Sequence, residues 1–161
     1  MEHWLQTPIL YSDAEALSDF VSSTWSSWGP ARMVKNEDIR EFGLLTQNQQ
    51  WIHEDAWRAE RESPYGGLIA HGLLLVSLIP SLLPEESFVV VGHSVRIVRG
   101  IDQLRLPSPV FPSDTVHARV RLRGARPAPS GKGTILTRDV EVWSTTGAKP
   151  AVTCSLSLQY F

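Results

Sequence analysis

From His71 to Leu83 almost every side chain is apolar, whichever face of a helix it would occupy. A helix of that kind has no solvated side and must be enclosed by other elements. The second half of the chain supplies the cover. Val116, Ala118, Val120 and Leu122 alternate with His117, Arg119, Arg121 and Arg123, and Leu136, Val140 and Val142 repeat the pattern against Asp139 and Glu141. Val152, Cys154, Leu156, Leu158 and Tyr160 do so again against Thr153, Ser155, Ser157 and Gln159. A period of two with one polar face marks half-buried strands, and Gly/Pro turns between them mean an antiparallel sheet. One enclosed helix followed by such a sheet predicts an α+β architecture in which the sheet wraps the helix. A further, more apolar strand is predicted over 89–98, with His93 on the side of Val91, Val95 and Ile97. Pro80 lacks an amide hydrogen and should bend or end the helix.

The first half reads as shorter pieces. Ala14, Leu17, Phe20 and Val21 fall at helical spacing after Ser12, so a helix is predicted over 13–24 within an N-terminal helical extension covering 1–30. An aromatic connection with Trp25 and Trp28 follows, the two rings serving as packing, and then a short strand over 31–35. Asn36 starts a helix, with Glu37 and Asp38 in the first turn where the helix dipole favours negative charge and Ile39, Phe42, Gly43 and Leu45 as its stripe. Residues 46–51 read as a loop leading to His53 and a short helix over 55–61.

The 161 residues form one domain, with a net charge of −2 that leaves no attraction for polyphosphate or an anionic membrane. Neither nucleic acid nor a bilayer is an expected partner, since the apolar run is interrupted by His71, Ser77, Pro80 and Ser81. The single Cys154 excludes an internal disulfide, and residues 1–10 lack the features of a signal peptide, so a cytoplasmic location is expected. No metal site is expected: His53-Glu54-Asp55 lacks a second histidine one turn on. Gly131-Lys132-Gly133-Thr134 lacks the phosphate-loop spacing and reads as a hairpin turn. Arg119, Arg121 and Arg123 read as cross-strand partners of Asp139 and Glu141.

The informative segment is Leu45 to Ser77, which contains Asn48-Gln49-Gln50-Trp51-Ile52-His53 and Gly66-Gly67-Leu68-Ile69-Ala70-His71-Gly72. It resembles the MaoC-like (R)-specific enoyl-CoA hydratases, and Gln50-Trp51-Ile52-His53 resembles their nodulation protein N-like subgroup. Arg105 to Val110 with Asp114 resembles the subgroup's strand after the central helix. The resemblance implies a single hotdog domain, usually a homodimer whose two sheets join. It implies water addition to, or removal from, an acyl thioester whose chain lies in an apolar tunnel beside the central helix. It also implies no bound cofactor, the acyl group arriving on coenzyme A or on the phosphopantetheine of an acyl carrier protein.

Such chemistry needs one group to take a proton from water, another to deliver one to the α-carbon, and a donor for the thioester oxygen as it gains charge. By resemblance the histidine is His53 and the oxyanion donor is the amide of Gly72, while the family's aspartate position holds Asn48. An amide can orient water but cannot exchange a proton near neutral pH. Gln47 stands for the motif's glycine, Trp51 for its proline, and Val98-Arg99-Gly100 for the subgroup's Asn-Tyr-Gly, so that Arg99 either meets an anion in the tunnel or faces solvent. Three readings stay open. In the first, His53 works with Asn48 or with a carboxylate recruited from Glu54, Asp55 or Glu62, Asp55 matching a family residue that supports the short helix. In the second, His53 is the sole base of an isomerase, cyclase or thioesterase acting on a polyketide-like intermediate. In the third, the chain is the silent partner of an active hotdog subunit. His71 is expected to tie down the Gly66-Gly67 loop, and His3, His93 and His117 belong to no constellation.

Overall fold

In the computed structural model, which describes residues 6–161, the chain runs β1 (Thr7–Leu10), α1 (Ala14–Ser18), β2 (Arg32–Met33), α2 (Asn36–Thr46), α3 (Trp51–Glu54) and α4 (Ala56–Glu62). It continues with α5 (Gly72–Leu82), β3 (Phe88–Val91), β4 (Arg96–Arg105), β5 (Thr115–Pro127), β6 (Thr134–Ser144) and β7 (Val152–Tyr160). His3 lies outside the described residues. The last four strands and β2 form an antiparallel sheet in the order β2-β5-β6-β7-β4. Leu74, Leu75, Leu78, Ile79 and Leu82 of α5 pack on its inner face, among them Val116, Val120, Leu136, Val140 and Leu156. Each such buried aliphatic contributes about 1.5–3 kcal/mol, which is what holds a short, proline-containing helix in place. The outer face carries the paired charges read from the sequence, Arg119 to Glu141 at 2.6 Å and Arg121 to Asp139 at 2.8 Å.

The first helix is shorter than the periodicity predicts. Asp13 caps it in place of Ser12, accepting from the Ala16 amide, and Ser18 Oγ bonds back to the Ala14 carbonyl. The chain then leaves the helix because β5 offers better partners. Ser22, Ser26 and Gly29 donate their amides to Leu122, Val120 and Ala118, so residues 22–33 lie along one edge of the sheet. Trp25 and Trp28 pack there over the Arg119 guanidinium.

The strand expected over 89–98 is two strands. Gly92 takes a left-handed φ of 78°, turning the chain so that β3 pairs in parallel with β1, outside the main sheet, while β4 joins β7. His93 sits in that turn and not on a strand face. Residues 106–114 form a loop, not a strand, since Pro107 and Pro109 cannot donate to a ladder. Leu45, expected on the apolar stripe of α2, is exposed.

Two surfaces depart from the enclosed helix that the composition predicts. On α5, Leu73, Ser77 and Pro80 are exposed. Beside them β4 is an edge strand of the five-stranded sheet whose outer side has no partner strand among the described residues, with Ile97 44% and Val98 52% exposed.

Candidate active site

The site is assembled where α2, α3 and the start of α5 converge. Helix α2 ends on Gln47 in the left-handed conformation, φ 56°, and the Asn48 amide closes the turn on the Gly43 carbonyl. The chain reverses into α3, which carries His53. Its Nδ1 lies 2.8 Å from the Ile69 carbonyl. A carbonyl only accepts, so Nδ1 carries the hydrogen and Nε2 keeps the lone pair. His71, 2% exposed, stands one residue before α5 and places Nε2 2.8 Å from the Asn48 carbonyl. The same reasoning puts its hydrogen on Nε2. The two imidazoles stack with centroids 3.7 Å apart and an interplanar angle of 29°.

His71 therefore ties the Asn48 turn to the start of α5, and not the Gly66-Gly67 loop. Gly43 makes room for this. A Cβ there would lie 3.3 Å from both Glu54 Oε1 and His71 Cε1, and 3.4 Å from the Asn48 carbonyl oxygen. Burial pushes the His53 imidazole below its ordinary pKa, and the neighbouring His71 adds to this; the Ile69 carbonyl and the Glu54 carboxylate oppose it without reversing it. His53 is thus a neutral base near pH 7.

His53 lines a cleft of about 610 Å³ whose other walls include Glu37, Arg40, Glu41, Gln49 and Glu54. This entrance is polar, whereas an apolar channel was expected at the histidine. The apolar space is separate: a groove of about 320 Å³ beside α5, lined by Val76, Ile79, Leu83, Val98, Ile101 and Leu158 among others. Gly72, Val76, Ile79 and Leu83 share one helical stripe, so the groove leads away from the first amide of α5. That amide has no acceptor within the helix, as in any first turn, and Leu106 packs against the Gly72 Cα.

The predicted residues are thus partly gathered. Asn48 and Gly72 reach His53 through His71. The Asn48 side chain turns aside, its Oδ1 accepting from Gln50 Nε2 at 2.9 Å. Arg99 is not brought in: it is the extra residue of a β-bulge on β4 between Val98 and Gly100, exposed, and lines neither the cleft nor the groove. Of the three carboxylates weighed as recruits, Asp55 caps α4 through the Arg58 amide and Glu62 pairs with Arg58 at 2.7 Å. Glu54 remains, facing the His53 cleft with no hydrogen-bonding partner among the described residues. Sequence reasoning underrated His71. The signal was present in its place directly before the first residue of the apolar helix.

Residues 26–143 match the family described as MaoC like domain. The chain is 30% identical over 151 residues to the 3-hydroxyacyl-thioester dehydratase Z of Mycobacterium tuberculosis, covering 91% of this chain and 96% of that protein. It is 33% identical over 113 residues to nodulation protein N of Rhizobium meliloti, covering 69% of this chain and 70% of that one. Among solved structures it resembles the (R)-hydratase from A. caviae involved in PHA biosynthesis. There the TM-score is 0.65 at 24% identity, covering 84% of this chain and 93% of the other, which establishes a shared fold.

Proposed function

The chain belongs to the MaoC-like domain family, and from that membership we propose that it interconverts (R)-3-hydroxyacyl and trans-2-enoyl thioesters by removal or addition of water. The observation that carries the reading is the stack of His53 on His71 at 3.7 Å, which holds a neutral base against the residue that precedes the first free amide of α5. In the hydration direction His53 Nε2 takes a proton from water as the water oxygen bonds to C3. The electron pair of the double bond moves toward the thioester oxygen, where the Gly72 amide receives the charge. The α-carbon then takes a proton. Asn48 cannot deliver it, so this role falls to Glu54, whose carboxyl lines the same cleft. The Glu54 carboxylate receives this proton from the imidazolium before passing it to the α-carbon, so both groups are restored. Dehydration is the reverse.

The acyl chain follows the apolar groove beside α5, and the carrier arm leaves through the polar cleft, where Arg40 is an exposed cation. Coenzyme A and a carrier protein present the same arm. The working unit is a homodimer joined through β4. One sheet edge is already covered by residues 22–33, while β4 exposes Ile97, Val98 and Ile101 with an unpaired backbone, a surface that a second copy pairs without new features.

The test is hydration of crotonyl-CoA followed by loss of the enoyl thioester. His53→Ala and Glu54→Gln should each lower the rate by about 10²–10⁴-fold, with Asn48→Asp rescuing Glu54→Gln. An inactive wild-type protein toward short and long enoyl-CoA esters alike refutes the reading. Full activity in Glu54→Gln removes Glu54 from it.

A further inference from the structure

A third space, of about 290 Å³, lies past the far end of α5, lined by Pro84, Glu86, His93, Arg96, Arg138 and Tyr160 among others. Two of these side chains hold nitrogens that nothing satisfies. Arg138, on the inner face of β6 and 4% exposed, gives Nε and Nη2 to Glu86 at 2.9 and 2.8 Å, while its Nη1 has no partner among the described residues. His93 packs edge-on against Tyr160 with centroids 5.0 Å apart, and its buried Nδ1 is likewise unpartnered. A buried polar nitrogen without a hydrogen-bond partner loses its hydration for nothing, so two of them in the walls of one cavity point to a polar atom that sits there.

The cavity continues the acyl groove. Arg96 lines both spaces, and Leu83 at the end of the groove is followed by Pro84 in the cavity wall. From the Gly72 amide to Leu83 is about 16 Å along the helix axis. An extended chain advances about 1.27 Å per bond, from 3.8 Å over three bonds, so the cavity begins about thirteen bonds from the thioester carbonyl. The ligand group is uncharged, because Glu86 neutralises Arg138, and the walls carry one further acid and one further base, Glu85 and Arg96.

We propose that the preferred substrate is a long acyl thioester carrying a keto or hydroxyl oxygen near its far end, bound by Arg138 Nη1 and His93 Nδ1. The proposal rests on the thioester reading above and adds a substrate class to it. The experiment compares kcat/KM for 3-hydroxyhexadecanoyl-CoA and for its counterpart bearing a keto group at about the fifteenth carbon, just past the start of the cavity. The keto ester should be favoured about tenfold, the worth of one or two satisfied hydrogen bonds. His93→Phe keeps a ring against Tyr160, and should abolish most of that preference while leaving the plain ester unchanged. This variant is chosen over any change at Arg138, which would strand Glu86 and risk the fold. Equal turnover of the two esters means the cavity holds water only and overturns the proposal while the dehydratase reading stands. A preference that survives His93→Phe also overturns it. Turnover of neither ester refutes both.

Discussion

Gly43→Ala separates the stability of this fold from the geometry of its site. Gly43 is buried in the interior of α2, where alanine is favoured over glycine by about 0.5–1 kcal/mol. Against that gain, the new methyl would stand 3.3 Å from His71 Cε1 and Glu54 Oε1 and 3.4 Å from the Asn48 oxygen. Comfortable contacts need about 3.5–4.0 Å, so neighbours must yield by a few tenths of an ångström. His71 has little freedom to do so, being held by Asn48 at 2.8 Å on one side and stacked on His53 on the other. Overpacking by one methyl costs about 1–3 kcal/mol, and with contacts this slight the lower end applies, so the net change in stability is within about 1 kcal/mol. The displacement passes directly to the His53 ring. If a 1 Å error costs about 10²-fold, a few tenths should lower kcat by about three- to tenfold. Urea denaturation gives the first quantity and enoyl-CoA hydration the second, with Gly124→Ala, whose added methyl meets nothing within 4 Å, as the control. Wild-type kcat in Gly43→Ala would refute the claim that His71 positions His53.

Gly29→Ala should be far more damaging to the fold, because its Cβ would meet the Leu82 carbonyl oxygen and the Pro84 nitrogen, backbone atoms that cannot rotate away. The 22–33 segment would lift and weaken the 2.8 Å bond from Gly29 to Ala118, for a loss of about 2–4 kcal/mol, read as a drop in Tm of about 4–16 °C. Acidification gives a third expectation. Burial holds both His53 and His117 below their ordinary pKa of 6.5, so as pH falls the unfolded chain binds these protons first. Stability is complete above about pH 7 and declines as pH falls through 6.5 toward the folded-state values. A urea midpoint that rises between pH 7 and pH 5 would contradict this. Finally, Ile97→Lys places a charge on the open β4 edge without touching the acyl groove, and should convert a sedimenting dimer to monomer. A monomeric wild-type protein would remove β4 as an interface.

The parts of the fold legible in the sequence are those where a period spans many residues. Strands β5, β6 and β7 and the helix α5 follow from alternation and from an apolar run, because burial of one face dictates side-chain chemistry position by position. What failed were short elements decided by partners far along the chain. Residues 19–24 continue a helical spacing, yet from Ser22 onward the backbone bonds to β5, far along the chain. Residues 89–98 keep an apolar pattern across Gly92, and only the left-handed turn there reveals two strands in two sheets. The exposed side of α5 was also invisible, since a run apolar on every face does not say which face the rest of the chain leaves open. In the site, His53 and Gly72 were singled out by a long motif, while of the two positions open to Arg99 the structure takes the exposed one, on an edge-strand bulge that has no signature of its own.

Asparagine at position 48 suits the architecture better than it suits the chemistry proposed for the site. What position 48 contributes to the scaffold is its backbone: the carbonyl that receives His71 Nε2 and the amide that closes the α2 turn. Neither depends on whether the side chain ends in a carboxylate or an amide, so the His71–His53 stack forms with asparagine present. A site can therefore lose one proton-transfer group and keep its other base, its tautomers and its oxyanion amide. What it needs next is a carboxylate already within the same cleft, and Glu54 lies there, its oxygen against Gly43 beside His71. The adjacent Asp55 is excluded by its own hydrogen bond to the Arg58 amide, which holds the start of α4. In the proposed reaction the proton-transfer role moves a few residues along the chain, to Glu54, while the Gly72 amide keeps its place at the start of α5.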